Sequence, residues 1–452
     1  MELLEYTNRW NSQRLGSLFR EQKKKNTHFA RRNALKFTYG SIVDKPEYDM
    51  TPSLIDTYSK YTLVDEGDIV INCLNLNYDF VSQRVAIVKN SGIITSAYIS
   101  LRARNADVNP LYYCYYFKAM DARKMFHGMG TGIRLTLSYN ELRNVPIPVP
   151  PRAEQDQIVR FLDWKVSEIN KLIGIRRKEI QELRALKSAV INSAITRGID
   201  ANVAMKRTGV YYLPEVPASW KVTKLKRICK VGASINDLIR EHSDQDEVVF
   251  LPMENISEDG EIDCSIKQPI AKVKTGFSSF AKNDVVVAKI TPCFENGKGA
   301  CLDKLESDIG YGTTELFNLR AGNNVLPEYL YFITMTKLFR ILGEGQMTGS
   351  AGQKRVPADF IRDFTIGLPP IDEQQEIVDF IRSEKGRINR LIATKHEQLK
   401  ALTEFKSSVV SDAVTGKIDV RNVTVPEYEH VDDIVDDDSE NNEETETDGE
   451  EA

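Results

Sequence analysis

The chain has 452 residues, of which 41% are hydrophobic and 28% are charged, and its formal net charge is -5. At roughly 100 to 200 residues per domain it has room for two to four domains with cores of their own, which excludes a small stapled scaffold. No apolar run approaches the about 20 residues of a membrane-spanning helix and no secretory signal is visible, so we expect a cytoplasmic protein that contacts no membrane.

The charge is distributed unevenly along the chain. Residues 427–452 contain fourteen Asp and Glu and no Lys or Arg, which leaves 60 basic against 51 acidic residues in the body of the protein. A basic body suggests a polyanion as partner. The acidic end has the composition of a disordered tail, which is either simply solvated or competes with DNA for the basic surface.

Residues 1–149 are predicted to form a first globular domain. Runs rich in β-branched residues, IVINCL and RVAIVK, are broken by Gly, Asn and Asp and indicate strands, whereas the aromatic patch at residues 112–117 indicates a helix. We therefore expect an α+β domain.

A long helix is predicted for residues 150–198, and residues 369–416 repeat its sequence and are predicted to form a second long helix. Between residues 150–200 and 369–419, 19 of 51 positions are identical without a gap, at an offset of 219. Each copy opens with prolines and acidic residues and ends at a glycine, Gly198 or Gly416, which is typical of helices. Fainter matches upstream, such as Trp10 with Trp220, indicate an internal repeat that includes the globular domains.

Both long helices have the alternating three- and four-residue spacing of a coiled-coil seam. The charged pairs Arg176/Lys395 and Lys187/Lys406 interrupt both seams at the same places, and we expect them to fix the register. Helices of about 45 residues are on the order of 65 Å long, which is too long to be buried in either domain. We therefore expect the two helices to pack against each other along their apolar seams. Packing on the helix's own domain, or on another copy of the chain, is the alternative. The apolar seam residues are Leu162, Val166, Ile169, Ile173, Ile180, Leu183 and Val190 in the first helix, and Ile381, Ile388, Ile392, Leu399, Leu402 and Val409 in the second.

Residues 199–219 are predicted to be a linker, residues 220–368 a second α+β domain, and residues 417–452 a C-terminal segment with the acidic tail. The second domain has the strand run VVVAKI and an aromatic helical patch at residues 329–339. The two domains differ from each other far more than the two helices do, as expected for domains with one fold and two ligands.

Sequence signals of catalysis are missing. No GK[ST] phosphate loop, no Ser/His/Asp or Cys/His arrangement, no carboxylate cluster for magnesium and no Cys/His metal set stands out. We therefore predict that the chain catalyses nothing and binds no metal. A DNA enzyme with unrecognised motifs and a coiled-coil adaptor for other macromolecules are the alternatives.

The duplicated layout, the PP-x-x-EQ helix openings, the Trp-x4-Leu domain starts and the linker LPEVPASWKVTKL together resemble the specificity subunit of type I restriction-modification enzymes. The resemblance covers the chain to about residue 420. It implies two target recognition domains, held apart by an antiparallel coiled coil, that each read one half of a split asymmetric sequence in double-stranded DNA. It also implies two methyltransferase subunits, and restriction subunits, as partners. Those partners would carry the catalysis and S-adenosylmethionine, ATP and Mg²⁺, and this chain no cofactor.

Contacts with DNA are predicted where glycines and cations coincide. Glycines let a backbone approach phosphate closely, and Gln, Lys and Arg can reach base edges or phosphates. For each position a structural turn or a solvated face is the alternative. The predicted residues are Lys23, Lys24, Lys25, Arg31, Arg32, Thr131 and Arg134 in the first domain, and Lys289, Thr291, Lys298, Thr348, Ser350, Gln353, Lys354 and Arg355 in the second.

Overall fold

The computed structural model describes residues 4–38, 40–46, 49–77, 83–130, 132, 135–350 and 352–433. The chain divides into two compact units, unit 1 (residues 1–178 and 396–452) and unit 2 (residues 179–395). The boundary cuts both long helices, so the helices are not the separate module that the predicted domain limits gave them. Along the described ranges, no helix combines the length and the apolar character needed to cross a membrane.

Unit 1 contains the first α+β domain. Its helix α3 shows why the elements form where they do: the Asn109 side chain accepts hydrogen bonds from the backbone N–H of Leu111 and Tyr112, and Pro110 occupies the first turn. The elements are β1 Asn11–Arg14, α1 Leu15–Leu18, β2 Phe19–Glu21, β3 Leu35–Thr38, β4 Ser41–Asp44, α2 Pro52–Ser59, β5 Thr62–Val64, β6 Ile69–Ile71, β7 Val85–Ile87, β8 Gly92–Ile94, β9 Ile99–Ala103, α3 Pro110–Ala122, α4 Tyr139–Leu142, β10 Pro146–Val149 and the long helix α5 Arg152–Arg197.

Unit 2 contains the second α+β domain. The elements are β11 Met205–Val210, β12 Leu213–Pro217, β13 Lys221–Lys224, β14 Cys229–Val231, β15 Glu247–Leu251, β16 Lys267–Pro269, α6 Ile270–Val273, β17 Ser278–Ala281, β18 Val285–Ala288, β19 Gly299–Cys301, β20 Ile309–Gly312, β21 Leu316–Ala321, α7 Pro327–Met335, α8 Lys337–Glu344, α9 Ala358–Asp363, β22 Thr365–Leu368 and the long helix α10 Ile371–Val414.

The central sheets of the two domains have the same topology. The order is β2-β9-β6-β7 in unit 1 and β14-β21-β18-β19 in unit 2, with antiparallel pairing throughout. In each sheet a buried Asp before the central strand receives two hydrogen bonds from an Arg on the neighbouring strand: Arg102 to Asp68 and Arg320 to Asp284. The repeat therefore extends into the domain cores. Beside this sheet, unit 1 has the pairs β3-β4 and β5-β8, whereas unit 2 has the mixed sheet β16-β15-β20-β17.

A second set of repeated contacts fastens each domain to the start of its long helix. Trp10 Nε1 donates to Glu154 at 3.1 Å, and Trp220 Nε1 donates to Glu373 at 2.7 Å. The next residue in each helix, Gln155 or Gln374, is buried. Its side-chain Nε2 donates hydrogen bonds to two backbone carbonyls, and its Oε1 accepts a hydrogen bond from one backbone N–H. The PP-x-x-EQ opening is thus the joint between domain and helix.

The long helices pair antiparallel within each unit. In unit 2, Lys187 Nζ donates to Asn389 Oδ1 at 3.1 Å and Glu179 pairs with Lys395 at 3.0 Å. In unit 1, Lys406 Nζ donates to Asn170 Oδ1 at 3.2 Å, which is the same contact with the two helices exchanged. All predicted seam positions are buried or half-buried. The predicted seam positions thus lie between the paired helices, and Lys187 and Lys406 make equivalent contacts across it; that they fix the register stays a prediction.

Two details of the predicted organisation were wrong. The aromatic patch at residues 329–339 is two helices, because α7 ends at Met335 and the hydroxyl of Thr336 caps α8. Residues 199–219 are more than a linker: β11 and β12 pair as a hairpin, and Leu213 and Val216 pack into the core around Trp220. The predicted stops at Gly198 and Gly416 are confirmed, and both glycines have positive φ.

Candidate nucleic-acid interface

In unit 2 the Gly-rich segment before helix α10 forms a closed hairpin, residues 348–355. Thr348 and Arg355 exchange two backbone hydrogen bonds, of 3.0 and 2.8 Å. Gly349 has φ +134, and a Cβ there would lie 2.7 Å from the carbonyl oxygen of Gln353. The hairpin therefore requires glycine at this position, and it presents the exposed side chains of Thr348, Ser350, Gln353 and Lys354 to solvent.

The hairpin joins the other segment that the sequence analysis selected in this domain. Thr291 N donates to Lys354 O at 3.0 Å, and Val356 N donates to Lys289 O at 2.9 Å. The end of the central strand β18 and the hairpin thus lie side by side. Two predicted clusters about 60 residues apart in sequence form one surface.

Arg355 is held by a carboxylate of its own domain. Its Nε and Nη2 donate to both oxygens of Glu315 at 2.9 and 2.8 Å, and its Nη1 donates to Gln353 O at 3.3 Å. These hydrogen bonds hold the pKa of Glu315 below its ordinary value. The guanidinium of Arg355 therefore fixes the hairpin, whereas the side chains of Lys354 and Gln353 are exposed and form no side-chain hydrogen bond with any described residue.

Two further predicted residues of unit 2 also point inward. Lys298 Nζ donates to Met253 O at 3.0 Å, and Thr291 Oγ1 donates to Glu295 Oε1 at 3.1 Å. Both side chains are half-buried. They stabilise the turn that follows β18, whereas Lys289, whose Nζ lies 5.5 Å from the centre of the Phe317 ring, stays at the edge of the surface.

The described residues of unit 1 make comparable backbone contacts at the same place. Leu137 N donates to Cys73 O at 3.1 Å, and Leu76 N donates to Leu135 O at 3.4 Å, which are the counterparts of the two hydrogen bonds of unit 2. Gly130 occupies the position of Gly349, and a Cβ there would meet the carbonyl of Leu135 at 2.9 Å. The predicted contacts Thr131 and Arg134 lie outside the described residues.

The basic residues between positions 23 and 32 have two different environments in the structure. Arg31 donates to Val64 O and to Asp65, so its guanidinium holds the loop to the end of β5. Arg31 therefore has an internal role in the domain, and its expected phosphate contact stays a prediction. The side chains of Lys23, Lys24, Lys25 and Arg32 are exposed, with Lys23 paired to Glu21 at 2.9 Å.

Two buried arginines that the sequence analysis missed support these surfaces. Arg84 donates to the carbonyls of Leu74 and Asn72 after β6, at 2.7 and 3.3 Å. Arg340 donates to the carbonyls of Phe294 and Gly297 after β18, at 2.9 and 3.3 Å. A cation buried against carbonyl oxygens fixes the loop after the central strand in each domain. They occupy different positions of the repeat, so no sequence pattern marks them.

Comparison with known proteins matches this repeated architecture. A family model described as the type I restriction modification DNA specificity domain matches twice, at residues 8–184 and 217–401. The chain belongs to this DNA specificity family. Each match begins near Trp10 or Trp220 and ends within a long helix, so one specificity domain is one globular domain with the first part of its helix.

Several relatives of this chain are described as specificity subunits of type I restriction enzymes. The MjaVIII specificity subunit of Methanocaldococcus jannaschii is 24% identical over 380 residues, which is 81% of this chain and 84% of that protein. The EcoAI and EcoEI specificity subunits of Escherichia coli are 43% and 41% identical over 167 residues, 36% of this chain in both cases. These two matches span only 28% and 27% of the length of those relatives.

A solved structure shares the fold of this specificity chain. It comes from work on complex assembly and conformational transition of the type I R-M system, and it superposes with a TM-score of 0.64 over 92% of this chain and 100% of the solved one. The sequence identity is 12%, so the likeness is one of fold. The two-domain α+β architecture with its internal repeat is therefore confirmed.

Proposed function

We propose that this chain is the non-catalytic specificity subunit of a type I restriction-modification complex and that its two domains read the two halves of a bipartite asymmetric DNA target. The observation that carries the proposal is a glycine that packs closely against the backbone of a segment beside the end of the central strand, Gly130 in the first domain and Gly349 in the second. This scaffold is repeated, whereas the sequences that follow the two glycines differ, TGIRLT and SAGQKR, as two readers of different bases require.

The structure favours a small group of side chains as the reading surface of the second domain. In the hairpin, Ser350, Gln353 and Lys354 project from a backbone fixed by Arg355 and Glu315, and Lys289 flanks them. Gln and Lys can hydrogen-bond to base edges in the major groove, and Lys and Ser can hold phosphates. For the first domain, Lys23, Lys24, Lys25 and Arg32 are proposed to contact phosphates, because they are exposed.

We further propose that catalysis belongs to partner subunits in the cytoplasm. S-adenosylmethionine, ATP and Mg²⁺ would be held by the methyltransferase and restriction subunits. Specificity would then arise because this chain places those partners on one DNA sequence. The partner methylating a base must extrude it from the stack, so the DNA would be distorted in the complex.

Two methyltransferase subunits are proposed because each unit exposes the same apolar pair on its helices. Leu172 and Phe405 in unit 1 correspond to Leu391 and Leu186 in unit 2, and all four side chains are between 42% and 57% exposed. With the seam at heptad positions a and d, all four residues occupy position g, which flanks one side of an antiparallel seam. The recognition domain of each unit contacts the other side, for example through Arg382 and Glu328 in unit 2.

The reading role is tested by mapping methylated bases in a host without its own methylation that expresses this chain together with a methyltransferase subunit. We expect one split asymmetric motif. When Gln353 and Lys354 are both changed to Ala, the base specificity should be relaxed in only one of its two half-sites. Lys282→Ala, an exposed cation elsewhere in the same domain, is the control and should leave the motif unchanged. Relaxation of both halves would contradict separate readers. Methylation by this chain alone would make it an enzyme, and failure to bind duplex DNA in the assembled complex would favour an adaptor.

The partner stoichiometry is tested by native mass spectrometry of the purified complex. We expect two methyltransferase subunits with the wild-type chain and one when Leu172 and Phe405 are both changed to Ser. The pair Leu186→Ser with Leu391→Ser should also leave one. Ile341→Ser, an exposed apolar residue in α8, serves as control. Retention of both subunits by both double variants would show that the partners dock elsewhere.

A further inference from the structure

The described part of the C-terminal segment lies along helix α5 of unit 1. Gln157 Nε2 donates to the carbonyls of Val420 and Val423 at 3.0 and 2.7 Å. Further along, Val431 N donates to Ser167 Oγ at 3.2 Å, and Asn170 Nδ2 donates to Val431 O at 3.0 Å. Residues 420–433, named here the strap, therefore run parallel to about four turns of the helix.

Apolar contacts fix the beginning of the strap. Val420 is buried in the core of unit 1, which also contains Phe161. The side chain of Phe161 is 7% exposed, whereas its repeat counterpart Phe380 in unit 2, where no strap runs, is 40% exposed. The strap thus covers an apolar face that the second half of the molecule leaves open.

Ionic contacts fix the end of the strap. Asp433 accepts from Lys406 at 2.9 Å and from Asn170 at 3.2 Å, and Lys118 Nζ lies 3.5 Å from it. Burial acts to raise the pKa of Asp433, but the two lysines outweigh it and hold the pKa well below its ordinary value. Two more carboxylates of the strap pair with unit 1, Glu429 with Lys171 at 2.9 Å and Asp432 with Lys89 at 2.7 Å.

Unit 2 contains an equivalent cluster of a seam lysine, an asparagine and a carboxylate, but no strap. Lys187, the repeat counterpart of Lys406, donates to Asn389 and to Asp259, which lies between β15 and β16 of the second domain. Lys385 donates to the backbone carbonyl of Asp259. The second domain therefore supplies its own carboxylate to the seam lysine. In unit 1 that carboxylate comes from the strap.

The strap also borders a cavity of about 900 Å³ in unit 1. Its residues 430–433 form part of the wall, opposite β4 and one face of α3. The match to the specificity family ends at residue 401, so the strap lies outside the shared domain. A segment that is bound through a buried apolar side chain, carbonyl contacts and matched charges, yet lies outside the repeated fold, has the features of a peptide ligand tethered to its receptor.

We propose that unit 1 carries a docking site for an acidic extended peptide, that the chain's own residues 420–433 occupy it, and that the first domain depends on this strap for the carboxylate that the second domain contains. The site is the groove along α5 between Gln157 and Asn170, closed by Lys118 and Lys406. The consequence for DNA reading rests on the function proposed above: loss of the strap weakens recognition of the half-site read by the first domain only.

The docking itself is tested on the full-length chain without DNA. Hydrogen exchange at the amides of Val423 and Val431 should become at least tenfold faster in Asp433→Asn, because removing the carboxylate from this half-buried cluster leaves two lysines uncompensated. Asp432→Asn, whose pair with Lys89 is exposed, should change exchange by less than twofold. Equal effects of the two variants, or no effect of either, would overturn the docking site.

A second form of the test makes the strap detachable after folding. A specific protease site is inserted between Asp419 and Val420, the folded chain is cut, and gel filtration shows whether the C-terminal fragment stays bound. We expect the wild-type fragment to co-elute and to be displaced by a synthetic peptide of residues 420–433, but not by the same peptide with Asp433→Asn. Immediate loss of the wild-type fragment would overturn the proposal.

The dependence of the first domain is tested in the methylated-base map. A chain ending at Asp433 should keep both half-sites, whereas a chain ending at Val425 should relax one of them. Asp259→Asn should relax the other half, because it removes the corresponding carboxylate from unit 2. If the shortened chain relaxes both halves equally, the dependence on the first domain is refuted. If no split motif exists even for the full chain, the proposed function fails while the exchange experiment still decides the docking site.

Discussion

Replacement of Gly349 by Ala isolates the contribution of the hairpin backbone to DNA reading. Alanine at φ +134 adopts a sparsely populated conformation, and its Cβ would lie 2.7 Å from Gln353 O and 3.2 Å from Lys354 Cα. Conformations of this kind cost on the order of 1–3 kcal/mol. At about 2 kcal/mol, the equilibrium constant for closing the hairpin falls roughly 30-fold, and the apparent affinity for the half-site falls by up to the same factor.

Gly352→Ala is the matched control in the same hairpin. Its φ is +80, but a Cβ there meets no atom within 4 Å, so only the backbone strain of about 1 kcal/mol applies. This corresponds to roughly a fivefold loss of affinity. The free energy of unfolding should change little in either variant, because the hairpin can open without unfolding the core.

The assay is a set of dissociation constants for the assembled complex on four duplexes: the intact target, each half-site scrambled alone, and both scrambled. Gly349→Ala should weaken binding to the intact target and to the duplex that retains the second domain's half-site. It should bind the duplex that retains only the other half-site as the wild type does. Equal losses on both single-half duplexes, or a larger loss for Gly352→Ala, would refute the reasoning.

Three further outcomes follow from contacts inside the domains. Gln374→Leu should destabilise unit 2 by about 3 kcal/mol in urea unfolding, since it leaves one N–H and two carbonyls unpaired, whereas the exposed Gln375→Leu should cost less than about 0.5 kcal/mol. Trp220→Phe, which loses the hydrogen bond to Glu373, should destabilise the same unit by about 2 kcal/mol and leave unit 1 unchanged. Because Arg355 holds the pKa of Glu315 below its ordinary value near 4.5, the pair stabilises the hairpin above that pH and is lost as the pH falls through the lowered value, so nuclear magnetic resonance of the hairpin amides should show opening in acid. Glu315→Gln should remove this acid transition.

The predictable part of this protein is the part that repeats. The helix limits, the glycine stops and the coiled-coil seam were correct because a repeated pattern of period 3.5 depends on local spacing and is averaged over many turns. The equivalent places of Lys187 and Lys406 in the two seams were visible for the same reason, but their partners Asn389 and Asn170 were not. The hairpin segments were identified as well, since glycine followed by cations marks a tight turn with exposed charge.

The residues that sequence reasoning missed act through contacts distant in the chain. Arg84 and Arg340 bind backbone carbonyls, which every residue possesses, so nothing in the sequence indicates which loop they support. Arg31 and Arg355 were predicted as exposed cations, but Asp65, directly after β5, and Glu315, directly before β21, bind them. A cation's availability to DNA depends on whether the fold brings a carboxylate within about 3 Å, and spacing along the chain does not report that distance.

The sequence by itself determined that the molecule is a duplicated α+β domain with two seam-bearing helices, because hydrophobic periodicity and repetition are properties of the chain. Only the tertiary structure decided which segments meet. It joined residues 289–291 to the hairpin at residues 348–355, and it placed Asp433 of the acidic end where Asp259 stands in the other half. The partner of a side chain is set by packing in three dimensions, where residues hundreds of positions apart in the sequence come within hydrogen-bonding distance.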